Sequence, residues 1–331
     1  MAFKPYRMWR KFRRDPIAYC IDSKHAFLRK KGARMFEEQT RRFEAVGANH
    51  ADIMITVVMT AYNTSHLVEG AVRSVLAQSH KNFELMVIDD ASTDDTLDVL
   101  KKLADEDTRV RVFHSPANHG TYWSKNWCLS HARGKFVAFH DSDDLSDPMR
   151  LQTQLGAILS GNKTAVTCRW RRVDGQGKPL NIDGLSERMA AISLMIRREE
   201  VLEKTGFFDS VRISADTEFI TRLTQVFGMK QIHHMRQVLY TGLLRDGSLT
   251  TGENSGFSWK TDNGVSFIRE LSGDRADYHK HFHEWHDSNI GNEAVLTVEF
   301  PQSVRKFPAP DGIRRNCDDM NTDQVIEVSH S

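Results

Sequence analysis

A chain of 331 residues that is 40% hydrophobic and 27% charged can bury a sizeable core, which excludes a disordered or collagen-like polymer. The net charge of +1 names no partner, but thirteen Lys or Arg against five Asp or Glu in residues 1–50 make the front of the chain basic. No run of roughly 18 apolar residues exists to cross a membrane, and no apolar core of ~7–15 residues follows Met1 to Arg14 as in a signal peptide. Cys20, Cys128, Cys168 and Cys317 show no CxxC or zinc-type spacing, as expected of free thiols in the reducing cytoplasm.

In chain order, Phe3, Tyr6, Trp9, Phe12, Ile17, Tyr19, Phe27 and Leu28 lie among the basic residues of the first fifty. Such a segment suits an anionic membrane surface, and equally a basic helix packed on the rest of the protein or an exposed partner-binding arm. Without an accompanying motif, the charge does not argue for nucleic acid. From residue 55, short apolar runs alternate with amphipathic stretches. Ile55 to Met59 reads as a strand, Asn63-Thr64-Ser65 as turn and cap, and Leu67, Ala71, Val72, Val75 and Leu76 as one helix face. Glu84 to Ile88 reads as a second strand ending at Asp89-Asp90. Ser92-Thr93-Asp94-Asp95 has capping-box spacing, with Leu97, Leu100 and Leu103 behind it.

Val110 to His114 and Phe136 to Phe139 continue the strands, with a helix holding Trp123 and Trp127 between them. Met149 to Ile158 and Thr217 to Phe227 read as helices. Ala165 to Trp170 and Ile192 to Ile196 read as strands separated by Asp174-Gly175-Gln176-Gly177. Beyond Gly252 the periodicity fades, and Asn321 to Ser331 has the look of a frayed tail. Strands alternating with helices predict a mostly parallel sheet, whose ligands bind at the carboxyl ends of the strands. The division expected is a basic, helical segment at 1–50, an α/β domain at 51–252 and an extension at 253–331.

Polar clusters fall at those strand ends. Asp141, Ser142, Asp143 and Asp144 bring three carboxylates together, which a hard cation such as Mg²⁺ or Mn²⁺ would compensate. A solvated loop capping the next helix would use the same residues. Asp89 and Asp90 can accept from a base or ribose, or cap a helix. Tyr62 can stack on a base, or simply pack. His279 to His286 (His-Lys-His-Phe-His-Glu-Trp-His) fits no closed zinc set and reads as a polar, exposed stretch. No Gly-x-Gly-x-x-Gly follows the first strand, which disfavours a dinucleotide-dependent dehydrogenase.

The order and spacing of Val57 to Asn63, Phe83 to Asp94 and Gly134 to Asp144 with Pro148 resemble glycosyltransferase family 2, over about residues 53 to 250. The resemblance implies an α/β fold of GT-A type, a mostly parallel central sheet with helices on both faces, flanked here by helical extensions. It implies an inverting transfer of sugar from a nucleotide-sugar donor, UDP-linked by expectation, to a saccharide or glycolipid acceptor at the cytoplasmic face of the membrane. Thr60, Ala61, Tyr62 and Asn63 would line the base pocket, with Asp90 and Asp89 bonding the base. Asp143 would be the principal ligand of Mn²⁺ or Mg²⁺, with Asp141 near the ribose or metal waters and Ser142 between them. Ser214 to Phe219 resembles the segment that supplies the catalytic base, which puts that role on Asp216, with Glu218 as fallback. Family members often have Glu-Asp there, where this chain has Ala215-Asp216.

Leu244 to Thr250 resembles an element near the diphosphate that often reads Arg-x-His-x-x-Ser-x-Thr. Here Arg245 stands at the His and Leu243 at the Arg. Lys125 stands where Gly-x-x-x-x-Arg-Asn has its Arg, keeping the charge without the bidentate fork. These departures leave a second expectation open, a non-catalytic nucleotide-sugar-binding module of a larger assembly.

Overall fold

The computed structural model describes residues 15–245, 249, 251, 256–262 and 266–329. Phe3, Tyr6, Trp9 and Phe12 of the basic segment, and Asp246, Gly247, Ser248 and Thr250 of the diphosphate element, lie outside them. The described chain begins with Asp15 capping a short helix α1 (Pro16–Ile21), its carboxylate accepting from Ala18 N at 2.8 Å. The long helix α2 (Ala26–Ala48) follows.

β1 (Ile55–Ala61) and β2 (Phe83–Asp90) are buried at every position, as strands covered on both faces must be, and their apolar runs are therefore continuous rather than alternating. Helices α3 (Val68–Leu76) and α4 (Thr96–Glu106) connect β1 and β2 to β3 (Val110–Ser115), and α5 (Thr121–His131) leads into β4 (Phe136–Asp141). These four strands pair in parallel in the order β3-β2-β1-β4. A short β5 (Leu145–Ser146) and helix α6 (Arg150–Gly161) follow. Then come β6 (Ala165–Val173), β7 (Asn181–Ile182), β8 (Glu187–Met189), β9 (Met195–Arg197), α7 (Arg198–Thr205), α8 (Ala215–Phe227) and β10 (Ile232–Leu243). β9 runs antiparallel between β4 and β6, and β10 pairs parallel with β6 and antiparallel with β5. The fold is thus a mixed, mostly parallel sheet with helices, of GT-A type.

The remainder of the chain is woven into this body. β11 (Phe257–Asp262) and β12 (Ser266–Leu271) form a small sheet with β7, α9 (Gly273–Ser288) and α10 (Asp311–Arg314) follow, and β13 (Ile326–Glu327) pairs antiparallel with β3 at the edge of the main sheet. Residues 253–331 therefore do not stand apart at the expected boundary. Nor are the described residues of 321–331 frayed. Arg111 grips Glu327 with two bonds of 2.9 Å, and Trp127 Nε1 donates to Thr322 O at 3.0 Å.

Other expectations need correction. Ile192 to Ile196 is not one strand, because Ala191–Ser193 is a 3-10 turn before β9. Ser92 and Asp95 do not form a capping box. Ser92 Oγ accepts from Asn63 N at 3.0 Å, and Asp94 binds Ser65 N and Thr96, so the cluster braces the loop after β1 instead. The stretch from His279 to His286 lies in α9 with Phe282, Trp285 and His286 buried, so it is amphipathic rather than exposed. Within the described part of the front end, helix α2 packs on α6. A Cβ on Gly47 would lie 2.0 Å from Gln152 O, and one on Gly156 1.7 Å from Phe43 O, so α2 and α6 cross at a distance only glycine allows.

Candidate active site

The polar residues converge at the carboxyl ends of β1, β2 and β4. Thr60 and Ala61 are still inside the sheet. Thr60 is hydrogen-bonded to Thr121 at 2.7 Å and Ala61 sits opposite Asp89, so neither side chain is open to a ligand. Tyr62 leaves the sheet and is 48% exposed. Asn63 turns the chain in the left-handed region (φ 50), and its carboxamide oxygen accepts from Thr93 N at 2.8 Å, tying the loop after β1 to the loop after β2.

Asp89 and Asp90 end β2, both buried. Asp90 spends its two oxygens on the backbone N–H groups of His119 (2.9 Å) and Gly120 (2.8 Å) at the start of α5. Burial nevertheless pushes its pKa above the ordinary carboxylate range, against those bonds. Asp89 Oδ2 meets His114 Nδ1 at 2.9 Å and accepts from Ser92 N. Its Oδ1 is buried and finds no donor among the described residues.

β4 delivers the acidic cluster. One oxygen each from Asp141, Asp143 and Asp144 lies within 4.8 Å of the others, which brings Asp144 into a set where the sequence left it without a role. Asp141 N–H donates to the Tyr240 hydroxyl of β10 at 3.1 Å, and Lys125 Nζ on α5, itself buried, reaches Asp141 Oδ1 at 3.2 Å. Ser142 is buried under Thr64, whose hydroxyl donates to it at 3.1 Å. Arg245 Nε donates to Asp143 Oδ2 at 3.0 Å, and Leu243 N donates to Asp144 Oδ1 at 2.9 Å, so the end of β10 closes over the cluster. Burial, then the neighbouring carboxylates, raise the pKa of Asp143 and raise that of Asp144 well above its ordinary value, while Arg245 opposes the shift at Asp143. Three oxygen donors converging under a surplus of negative charge are what a hard divalent cation takes up, so the residues present fit Mn²⁺ or Mg²⁺.

Asp216 lies in the first turn of α8, part-buried, with Oδ1 accepting from Thr217 N at 2.7 Å. Tyr122 on α5 joins it to the cluster. Its hydroxyl is buried and its pKa is pushed well up, by burial first and then by Asp216 and Asp141, which both lie within electrostatic reach. Glu218, the fallback, is excluded. It is fully buried, bound by Arg222 with two bonds of 2.9 Å and by His286 Nε2 at 2.9 Å, and no acceptor can approach it. Tyr122, Arg275 and the His119–Asp319 pair at 3.0 Å are site neighbours that sequence reasoning missed. Only tertiary packing, across up to 200 residues of chain, brings them there.

No described helix is long and apolar enough to cross a membrane. Residues 56–215 match the family model described as "Glycosyl transferase family 2". Over 111 residues the chain is 34% identical to an Escherichia coli protein named "UDP-Glc:alpha-D-GlcNAc-diphosphoundecaprenol beta-1,3-glucosyltransferase WfgD", covering 34% of this chain and 43% of that one. Over 106 residues it is 38% identical to a Bacillus subtilis protein named "Putative teichuronic acid biosynthesis glycosyltransferase TuaG", covering 32% and 42%. The chain spans less than two thirds of the length of the curated relatives it matches, for example 57% of one from Haemophilus influenzae. Among solved structures, S. aureus TarS 1-349 in complex with UDP-GlcNAc superposes with a TM-score of 0.50 at 22% identity, over 59% of this chain and 60% of that one, a likeness of fold. The likeness to glycosyl transferase family 2 therefore rests on residues 56–215, just under half of the chain.

Proposed function

We propose that this protein is an inverting, metal-dependent glycosyltransferase that moves a sugar from a UDP-sugar to a hydroxyl of a growing polysaccharide or glycolipid. The carboxylate trio Asp141, Asp143 and Asp144, at the same sheet edge as Tyr62 and Asp89, carries the reading. A UDP-linked donor and a lipid-linked saccharide acceptor accord with the name of the E. coli relative. The catalytic unit is residues 51–252, braced by the segments on either side.

In this reading Tyr62 stacks on the base and Asp89 offers it Oδ1, the oxygen the described residues leave free, while Asp90 holds the loop that starts α5. Asp143 and Asp141 would hold Mn²⁺ or Mg²⁺, with Asp144 behind them. That ion would supply the positive charge that stabilises a departing diphosphate. Lys125 and Arg245 bring two further cations to the leaving group. Asp216 takes the proton from the acceptor hydroxyl as its oxygen bonds to the anomeric carbon. The bond from that carbon to the phosphate oxygen breaks on the opposite face, and the diphosphate leaves with the electron pair.

The exposed Phe27, with Arg29 and Lys30 beside it on α2 and Lys24 in the bend before that helix, suits peripheral contact with an anionic membrane at its cytoplasmic face. Purified full-length protein should release UDP from UDP-glucose or UDP-GlcNAc only with Mn²⁺ or Mg²⁺, and Asp143→Ala should abolish the release. Turnover in that variant equal to the wild type would overturn the metal site.

A further inference from the structure

The turn that leads into the proposed base is held by residues from much later in the chain. Arg275, near the start of α9, lies 60 residues beyond the family stretch, which ends at 215. It is buried, with Nη1 donating to Ser214 Oγ at 2.6 Å, Nη2 donating to Leu249 O at 3.0 Å and the Phe257 ring 4.1 Å from its guanidinium carbon. A Cβ on Gly256 would lie 2.3 Å from Arg275 Cβ, so the chain leaves out a side chain where this arginine passes. Asp216 and the Tyr122 hydroxyl are both within its electrostatic reach.

Ser214, the residue Arg275 grips, has a φ of 70°, a left-handed conformation that costs a non-glycine residue about 1–2 kcal/mol. Such a residue persists where its surroundings over-determine it. Here Arg275 provides one hold and His279 Nε2, at 3.3 Å from the same hydroxyl, provides another. Ser214 is also the N-cap of α8, so its conformation sets the direction in which Asp216, two residues on, leaves the helix.

We propose that Arg275 is a positioning residue for Asp216, fixing the Ser214 turn so that the carboxylate faces the acceptor, and that the catalytic centre is completed by the segment beyond residue 252. The inference rests on Asp216 being the base. It assigns Arg275 no contact with donor or acceptor, so its loss should appear in kcat and not in donor binding.

The test uses the full chain with Mn²⁺ and UDP-GlcNAc or UDP-glucose, reading UDP release and, by titration calorimetry, donor affinity. Arg275→Gln should lower kcat about a hundredfold, the scale of a misplaced catalytic group, with donor Kd within about twofold of wild type. Arg275→Lys, which keeps the charge and one donor to Ser214, should recover part of the loss, and Ser214→Ala should lower kcat on an unchanged Kd. Wild-type kcat in Arg275→Gln overturns the proposal. So does a loss of donor affinity or of cooperative melting in Arg275→Gln and Arg275→Lys alike, since that marks a purely structural arginine. Undiminished turnover in Asp216→Asn removes the base assignment itself. That outcome is distinct from an enzyme that needs Asp216 but is indifferent to Arg275.

Discussion

Ala91 sits between Asp90 and Ser92 at a φ of 62°, where only glycine is at ease. The turn must be made there, because β2 has to deliver both aspartates to the sheet edge and then reverse to meet Asn63. Ala91→Gly should therefore change stability by no more than about 1 kcal/mol, relief of strain offsetting the greater freedom of the unfolded chain. Ala91→Val, with a branched carbon in the same conformation, should cost about 2 kcal/mol or more, read as the urea midpoint at constant m. The chemistry at this scale was legible: a Tyr, two Asp and an acidic run each follow an apolar strand. How each carboxylate is used was not. Nothing in Asp89-Asp90 says that the second would bond two N–H groups thirty residues on while the first keeps an oxygen without a donor.

Between elements, Glu218 is the clearest case of a residue whose neighbours reverse its meaning. It stands two residues from Asp216 on α8, yet at that spacing the two side chains point to different sides of the helix. Glu218 turns inward to Arg222 and His286, and Arg222 goes on to bond the Thr205 and Phe207 carbonyls, so one ion network joins α7, α8 and α9. Glu218→Ala leaves Arg222 buried without its carboxylate and should cost about 3–5 kcal/mol by chemical denaturation. Burial alone would raise the Glu218 pKa, but Arg222 and His286 outweigh it and hold the value below the ordinary one. A depressed folded pKa means that the ionised carboxylate stabilises the fold fully above the unfolded value of about 4.3, and that this share is lost as pH falls through the folded value. Stability measured from about pH 6 down to pH 2 should fall less steeply in Glu218→Gln than in the wild type.

Across the whole molecule, the last residues close a circuit that begins at the donor site. Asp319 binds His119, whose own N–H holds Asp90, while Glu327 binds Arg111 and β13 extends the sheet past β3. Removing residues 319–331 should lower the melting temperature, and should weaken donor affinity through the loosened His119 loop. A truncated chain with wild-type melting and donor Kd would show that the strap is dispensable. The sequence alone determined the order of strands and helices from β1 to β4 and the clusters at the strand ends, because hydrophobic period and turn chemistry are local and survive in a linear reading. It misread the histidine run and the tail, and it missed β10, β11 and β12, whose alternation is broken by bulges or polar residues and whose stability comes from partners distant in sequence. Only the tertiary structure decided that Glu218 is fully buried while Asp216 stays partly exposed, and that Arg275 bonds Ser214 and Asp319 bonds His119. Those outcomes depend on contacts between residues 60 to 200 positions apart, which no periodicity records.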